Sequence, residues 1–189
     1  MHKIKDKFIS SAMELKKIRT IAITAMFLAL IMVLDLLNVR ITLSQDMRIT
    51  FDFLIMAMIG MMFGPSVGML AGIASDVLGY LMNQGGGAYF PGFAITAALG
   101  GLIWGLFLYK TPLSWWKCLL AQLIINVFLN IGLNTLWLTI LYGVGTLGKL
   151  PLRILTNIIQ LPIQVILVLA LGKILSEIYK RTISSSKSL

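Results

Sequence analysis

Apolar stretches of helical length alternate along this chain with short polar breaks. Six can be counted: Thr20–Leu37, Phe51–Phe63, Pro65–Met82, Pro91–Tyr109, Trp116–Tyr142 and Pro151–Tyr179. A bilayer core takes about 20 helical residues to cross. The second stretch is short of that, and Gly64-Pro65 divides it sharply from the third. The fifth and sixth are long enough to tilt or to project from the membrane. The pattern predicts an all-α, six-transmembrane-helix bundle over residues 20–180. A basic segment, residues 1–19, precedes it and a short tail, 181–189, follows.

Composition agrees. The chain has 189 residues, of which 58% are hydrophobic and 12% charged, with mean hydropathy +0.92. Soluble domains carry about 25% charged residues. The net charge of +9 is explained by orientation. With the N-terminus inside, twelve of the 16 Lys and Arg fall on the inner side, and only Arg40, Arg48, Lys149 and Arg153 fall outside. An even number of spans with both termini cytoplasmic satisfies the positive-inside rule, so no nucleic-acid partner is required. The first span lacks a small-x-small cleavage site and reads as an uncleaved helix.

The outer side is therefore the informative one. Its loops, Asn38–Thr50, Asn83–Phe90 and Tyr142–Leu150, hold the outer cations, and Asp35, Asp46, Asp52 and Asp76 lie in or near that half. The stretch from Asn130 to Asn157 gathers amides, hydroxyls, an indole, a phenol, a lysine and an arginine where two apolar spans meet. Unpaired polar groups in hydrocarbon cost several kcal/mol each, so this stretch lines a cavity or lies in water. A cavity opening outward under three loops fits the asymmetry better than a channel, which would be polar along its whole length.

Individual motifs carry two readings each. Ala22, Ala25 and Ala29 form a small-xxx-small stripe that admits either another helix of this chain or a partner protein. Gly64, Gly68 and Gly72 repeat the pattern and read as tight internal packing. Asp76, one turn before Tyr80, is a ligand acceptor, a partner for Arg40, Arg48 or Arg153, or an interfacial residue. Gly85-Gly86-Gly87 runs into Tyr89, Phe90 and Phe93, which suits either a moving lid with stacking aromatics or a plain turn with interfacial anchors. It is not a phosphate loop, because no Gly-Lys-Ser/Thr ending or preceding strand accompanies it.

Catalytic patterns are missing: there is no His-Glu-x-x-His, Gly-x-Ser-x-Gly or Walker motif, one His and one Cys. These residues describe a binding protein without a metal or cofactor, not an enzyme.

Two sets of residues are similar to a known family. Leu133-Asn134-Thr135-Leu136-Trp137-Leu138 with Leu141-Tyr142-Gly143 and Leu150-Pro151-Leu152-Arg153-Ile154 is the more specific. Arg48-Ile49-Thr50-Phe51-Asp52-Phe53-Leu54 with Phe63-Gly64-Pro65 and Tyr89-Phe90-Pro91-Gly92-Phe93 is the other. From Thr20 to about Gln164 the chain resembles the substrate-binding subunit, or S component, of bacterial energy-coupling factor (ECF) vitamin transporters, in its folate-specific branch. The resemblance implies a multi-pass protein of the bacterial cell membrane. It would capture a vitamin outside, dock on a membrane coupling (T) subunit carried by two cytoplasmic ATPases, and topple to release inward. ATP would be used only by the partners. Ala22, Ala25 and Ala29 would then be the docking stripe.

Folate suits the outer residues. Its flat pterin can stack on Trp137, Tyr89, Phe90 or Phe93, and its amino edge can donate to Asp76 or Asn134. Its glutamate carboxylates call for cations such as Arg40, Arg48, Lys149 and Arg153. Tyr80 and Asn157 complete the candidate set. The alternatives are another flat vitamin, riboflavin or thiamine, or a membrane assembly subunit that binds no ligand.

Overall fold

A computed structural model of the chain describes residues 2–38, 41–44, 47–82, 89–143, 148 and 150–186. Helix α1 (His2–Glu14) is followed by α2 (Ile18–Leu36), strands β1 (Ile41–Ser44) and β2 (Met47–Ile49), and helices α3 (Asp52–Phe63), α4 (Pro65–Met82) and α5 (Pro91–Leu108). The next long helix is divided into α6 (Trp115–Ile124), a π-helical segment (Ile125–Leu133) and α7 (Asn134–Tyr142), and α8 (Leu150–Ser186) ends the described chain. Among the described residues, five helical spans are long and apolar enough to cross a membrane: Ile18–Leu36, Pro65–Met82, Pro91–Leu108, Trp115–Tyr142 and Leu150–Leu175. The sixth apolar stretch, α3, has 12 residues. At 1.5 Å per residue that is about 18 Å, well short of a hydrocarbon core of roughly 30 Å.

Helix α3 tolerates its shortness by lying inside the protein. One face, Leu54 and Ala57, packs with Trp104, Leu108, Cys118, Ala121, Val165 and Val168. The other face, Ile55, Ile59 and Phe63, packs with Leu28, Ile31, Met32, Val67 and Ala71. Being apolar on both sides, it joins two core clusters and keeps its ends away from lipid.

Helices α4 and α5 approach almost backbone to backbone. A Cβ placed on Gly68 would sit 2.4 Å from the Gly101 carbonyl oxygen, and one on Gly72 would sit 2.3 Å from that of Ala97. The glycine repeat is thus consumed by internal packing. The alanine stripe of α2 is different: Ala22, Ala25 and Ala29 are all exposed, while Leu28, Ile31 and Met32 face the core.

Residues 1–19 contain a helix that caps two others. Gly64, at φ +89°, ends α3 and has no side chain with which to cap α4. Ser11 of α1 supplies the cap from outside. It is fully buried, its Oγ donates to the Phe63 carbonyl at 2.7 Å, and it accepts from the backbone N–H groups of Ser66 at 3.0 Å and Val67 at 3.2 Å. First-turn N–H groups lack intrahelical partners, so this satisfies donors that would otherwise be stranded. At the C-terminal end of α5, Lys7 Nζ donates to the Leu106 carbonyl at 2.7 Å, placing a cation where a helix dipole favours one.

Three features differ from the sequence expectation in detail. The segment between α2 and α3 holds an antiparallel hairpin, Ile41 opposite Ile49 and Thr42 opposite Arg48, while the other described elements are helical. The fifth span winds partly as a π-helix. Helix α8 continues to Ser186, because nothing after Pro162 breaks it.

Candidate ligand-binding site

Residues of α2, α3, α4, α5, the π-helical segment and α7 surround a cavity of about 660 Å³, within the range that holds a drug-sized ligand. Its floor is apolar, with Phe53, Met56, Trp104, Ile125 and Leu129. Glycines open it: Gly79 of α4 has no heavy atom within 4 Å of where a Cβ would be, and Gly100 and Gly101 of α5 also line it. Polar groups are set into that wall on one side by Asp35, Asp52, Ser75 and Asp76, and on the other by Thr96, Asn130 and Asn134.

Aromatic rings from the end of α4 and the start of α5 form part of the wall. Tyr80 and Tyr89 lie 5.0 Å apart between ring centroids, tilted by 58°. Phe90 contacts Phe93 edge-on at 5.9 Å and Trp137 at 5.5 Å. Such offset pairs hold flat faces at defined angles. The Tyr89 hydroxyl donates to Asp76 Oδ2 at 3.0 Å. Burial, the bond to Asp76 and the Asp76 charge together hold the Tyr89 phenol above its usual range, so it stays a donor.

Of the sequence candidates, Asp76, Tyr80, Tyr89, Phe90, Phe93 and Asn134 are brought together around the cavity. Trp137 stands behind that layer. Its indole N–H donates to Thr96 Oγ1 at 3.0 Å, its ring backs Phe90, and Gly92 leaves room for both rings. Asn157 also stands back: its Nδ2 donates to the Arg153 carbonyl at 2.8 Å, and its Oδ1 faces Asn130 Nδ2 at 3.5 Å. Arg153 lies on the first turn of α8, half-buried, and is not among the residues that line the cavity. Arg40 and Lys149 lie outside the described residues, and of Arg48 the description covers the backbone in β2. Among the described residues, no Lys or Arg lines the cavity, whereas three aspartates do.

Sequence reasoning did not nominate Asp35, Asp52 or Thr96 as site residues, and it took in Asn130 only as the start of the Asn130–Asn157 stretch. A signal for Asn130 existed. Gln122, Asn126, Asn130 and Asn134 recur every four residues, a polar line through an apolar helix.

Comparison with known proteins follows this geometry. Residues 19–172 match the family model described as ECF transporter, substrate-specific component. The folate transporter FolT of Clostridium novyi (strain NT) is 36% identical over 154 residues, covering 80% of this chain and 89% of that protein. FolT of Leuconostoc mesenteroides subsp. mesenteroides is 34% identical over 154 residues, covering 78% and 80%. A crystal structure of FolT bound with folic acid superposes with a TM-score of 0.70 at 34% identity, covering 79% of this chain and 88% of that one. With the family model spanning the membrane domain and relatives above 30% identity over most of their length, the chain belongs to the substrate-specific components of ECF transporters.

Proposed function

We propose that this chain is the folate-capturing subunit of an ECF-type importer. One observation carries the reading: a cavity of about 660 Å³, walled by paired aromatics and acceptor oxygens, lies in a chain similar in sequence and fold to FolT bound with folic acid. The pterin would enter flat against Tyr80, Tyr89, Phe90 and Phe93, its N–H edge toward Asp76 and Asn134. The anionic glutamate would stay at the rim, since three aspartates on the wall repel it, and would meet Arg40, Arg48, Lys149 or Arg153 there. Roughly 30 ligand atoms at ~0.3 kcal/mol each allow about −9 kcal/mol, which corresponds to sub-micromolar binding.

The chain is a transport subunit and not an enzyme, and it acts in a bacterial membrane as a multi-pass protein. A membrane coupling subunit and two ATPases would supply the energy, and the exposed Ala22, Ala25 and Ala29 face of α2 is the surface we assign to docking on them. Both termini on the cytoplasmic side would place the cavity mouth outside, with 1–19 as an inner-surface segment, 20–180 as the membrane domain and 181–189 as an inner tail. The relatives favour folate over riboflavin, thiamine or a ligand-free assembly role. Calorimetry on the purified chain, without ATP or partners, tests the reading. Folate should bind saturably below 1 μM on the estimate above. Saturable binding of riboflavin or thiamine with no heat from folate would overturn it.

A further inference from the structure

We infer that Asn126 and Asn157 are positioning residues, which fix the direction of a buried amide ladder so that Asn134 offers its carbonyl oxygen at the cavity wall. That commits this part of the cavity to an N–H donor on the ligand. The inference rests on the folate reading only for the choice of ligand in its test.

The ladder runs through the middle of the bundle. Gln122 Nε2 donates to Asn126 Oδ1 at 2.9 Å and to Gln164 Oε1 at 2.6 Å. Asn130 Nδ2 donates to Asn126 Oδ1 at 3.2 Å, and Asn134 Nδ2 faces Asn130 Oδ1 at 3.5 Å. Gln122, Asn126 and Gln164 are buried. Buried amides are costly unless bonded, and chains of them reinforce one another when they are.

Spacing and winding cooperate. In an α-helix a step of four residues overshoots one turn by about 40°, so three steps from Gln122 to Asn134 would turn the last amide by about 120°. The intervening Ile125–Leu133 segment is π-helical. Its wider i→i+5 winding takes up much of that rotation, which is how amides four apart stay in line.

An amide can face either way, so something must choose. Two backbone carbonyls of α8, which can only accept, make the choice. The Arg153 carbonyl takes Asn157 Nδ2 at 2.8 Å, which turns Asn157 Oδ1 toward Asn130. The Asn157 carbonyl takes Asn126 Nδ2 at 3.4 Å, which turns Asn126 Oδ1 toward Asn130 and Gln122. Asn130 thus meets two acceptors and must present its Nδ2 to them. Its Oδ1 is left for Asn134 Nδ2, and Asn134 Oδ1 remains buried without a partner among the described residues. Gln122 Oε1, at the inner end, is likewise unpaired; turning Gln122 over would set that oxygen against two acceptors instead. Of the two residues left with an unpaired acceptor, Asn134 lines the cavity and Gln122 does not.

A double-mutant cycle on the full chain tests this. Replacing both anchors, Asn126→Leu with Asn157→Leu, should weaken folate binding at least about tenfold in the otherwise unaltered chain. The same pair should cost less than about twofold in an Asn134→Ala background, because the anchors act through Asn134. A similar loss in both backgrounds would show generic structural damage and overturn the inference. If the paired variant gives no cooperative thermal transition, each single variant replaces it, with about threefold expected and the same cycle against Asn134→Ala. A folate analogue carrying a 2-methyl in place of the 2-amino group gives a second readout. The unaltered chain should prefer folate, and the anchor variants should lose that preference; a retained preference counts against the inference. Failure of the unaltered chain to bind folate would instead overturn the underlying reading.

Discussion

Tyr89 reaches back from the segment before α5 to Asp76 on α4, and its hydroxyl donates to Oδ2 at 3.0 Å. The bond links the two helices whose outer halves diverge around the cavity, after packing through glycine contacts closer to the centre. Among the described residues, Asp76 pairs with this phenol through Oδ2.

Tyr89→Phe keeps the ring against Tyr80 and removes only this donor. Folate affinity should fall by about 1 kcal/mol, roughly fivefold, because the carboxylate loses its fixed orientation. Asp76→Asn should cost at least as much. Titration calorimetry of both variants checks the ordering; a Tyr89→Phe protein that binds as tightly as the parent would show that the bond is incidental to the ligand.

Trp137 behaves as a support. Trp137→Ala removes the backing of Phe90 and the partner of Thr96, so the ligand-free melting temperature and the affinity should fall together. A buried Trp→Ala change costs ~3–5 kcal/mol, and this half-buried one should cost about half of that. Trp137→Phe should retain the packing and lose about 1 kcal/mol with the N–H donor. A large affinity loss with an unmoved melting temperature would place the indole in direct contact with ligand instead.

The sequence carried the bundle because lipid forces long apolar runs into helices, and the breaks at Gly64-Pro65, Phe90-Pro91 and Tyr142-Gly143 are chemically explicit. It carried the aromatic wall for the same reason: Tyr89, Phe90 and Phe93 flank a helix start with proline at its first position. Other features depend on partners distant in the chain. That Trp137 backs the wall follows from Thr96, 41 residues away. That Asp35 joins the wall follows from how α2 leans on α3 and α4. The hairpin was legible in part, since Ile41 to Ser44 and Met47 to Thr50 alternate apolar and polar positions. The π-winding was not, because no local propensity marks it, although it helps to keep the four-residue amide repeat in line.

Ser11 gives a stability test remote from the cavity. Ser11→Ala strands the Ser66 and Val67 N–H groups at the start of α4. The loss of a cap together with a buried bond should cost about 1–3 kcal/mol and lower the apparent melting temperature in detergent. Folate affinity, measured well below that transition, should change less than about twofold. A stable Ser11→Ala protein would mean that water reaches and satisfies these donors.

Ala25 separates binding from delivery. It is exposed on α2, away from the core face at Leu28, Ile31 and Met32. Ala25→Trp should therefore leave folate binding by the isolated subunit within about twofold, while ATP-driven uptake by the assembled complex is abolished through a steric block of close helix approach. Loss of folate binding in the isolated chain would show that the stripe is needed internally.

Arg153 is the described cation best placed to receive the ligand's anionic end. The cavity wall holds Asp35, Asp52 and Asp76, and on the reading proposed above folate's carboxylates would therefore stay near the mouth. Arg153 lies in the first turn of α8, is half-buried, and has no ion-pair partner among the described residues. Its backbone carbonyl holds Asn157, and Arg153→Ala leaves that carbonyl in place, so the substitution tests the guanidinium alone. A partly solvated charge pair is worth less than a buried one, so the expected cost is about 1–2 kcal/mol, or roughly 5- to 30-fold in affinity. Two controls identify the cause. The loss should shrink at high salt, where the exposed part of the pair is screened, and it should be smaller for pteroate, which lacks the glutamate. Equal losses for folate and pteroate would mean that Arg153 supports the fold of the cavity rather than the glutamate. No loss for either would move the recognition of the carboxylates to Arg40, Arg48 or Lys149.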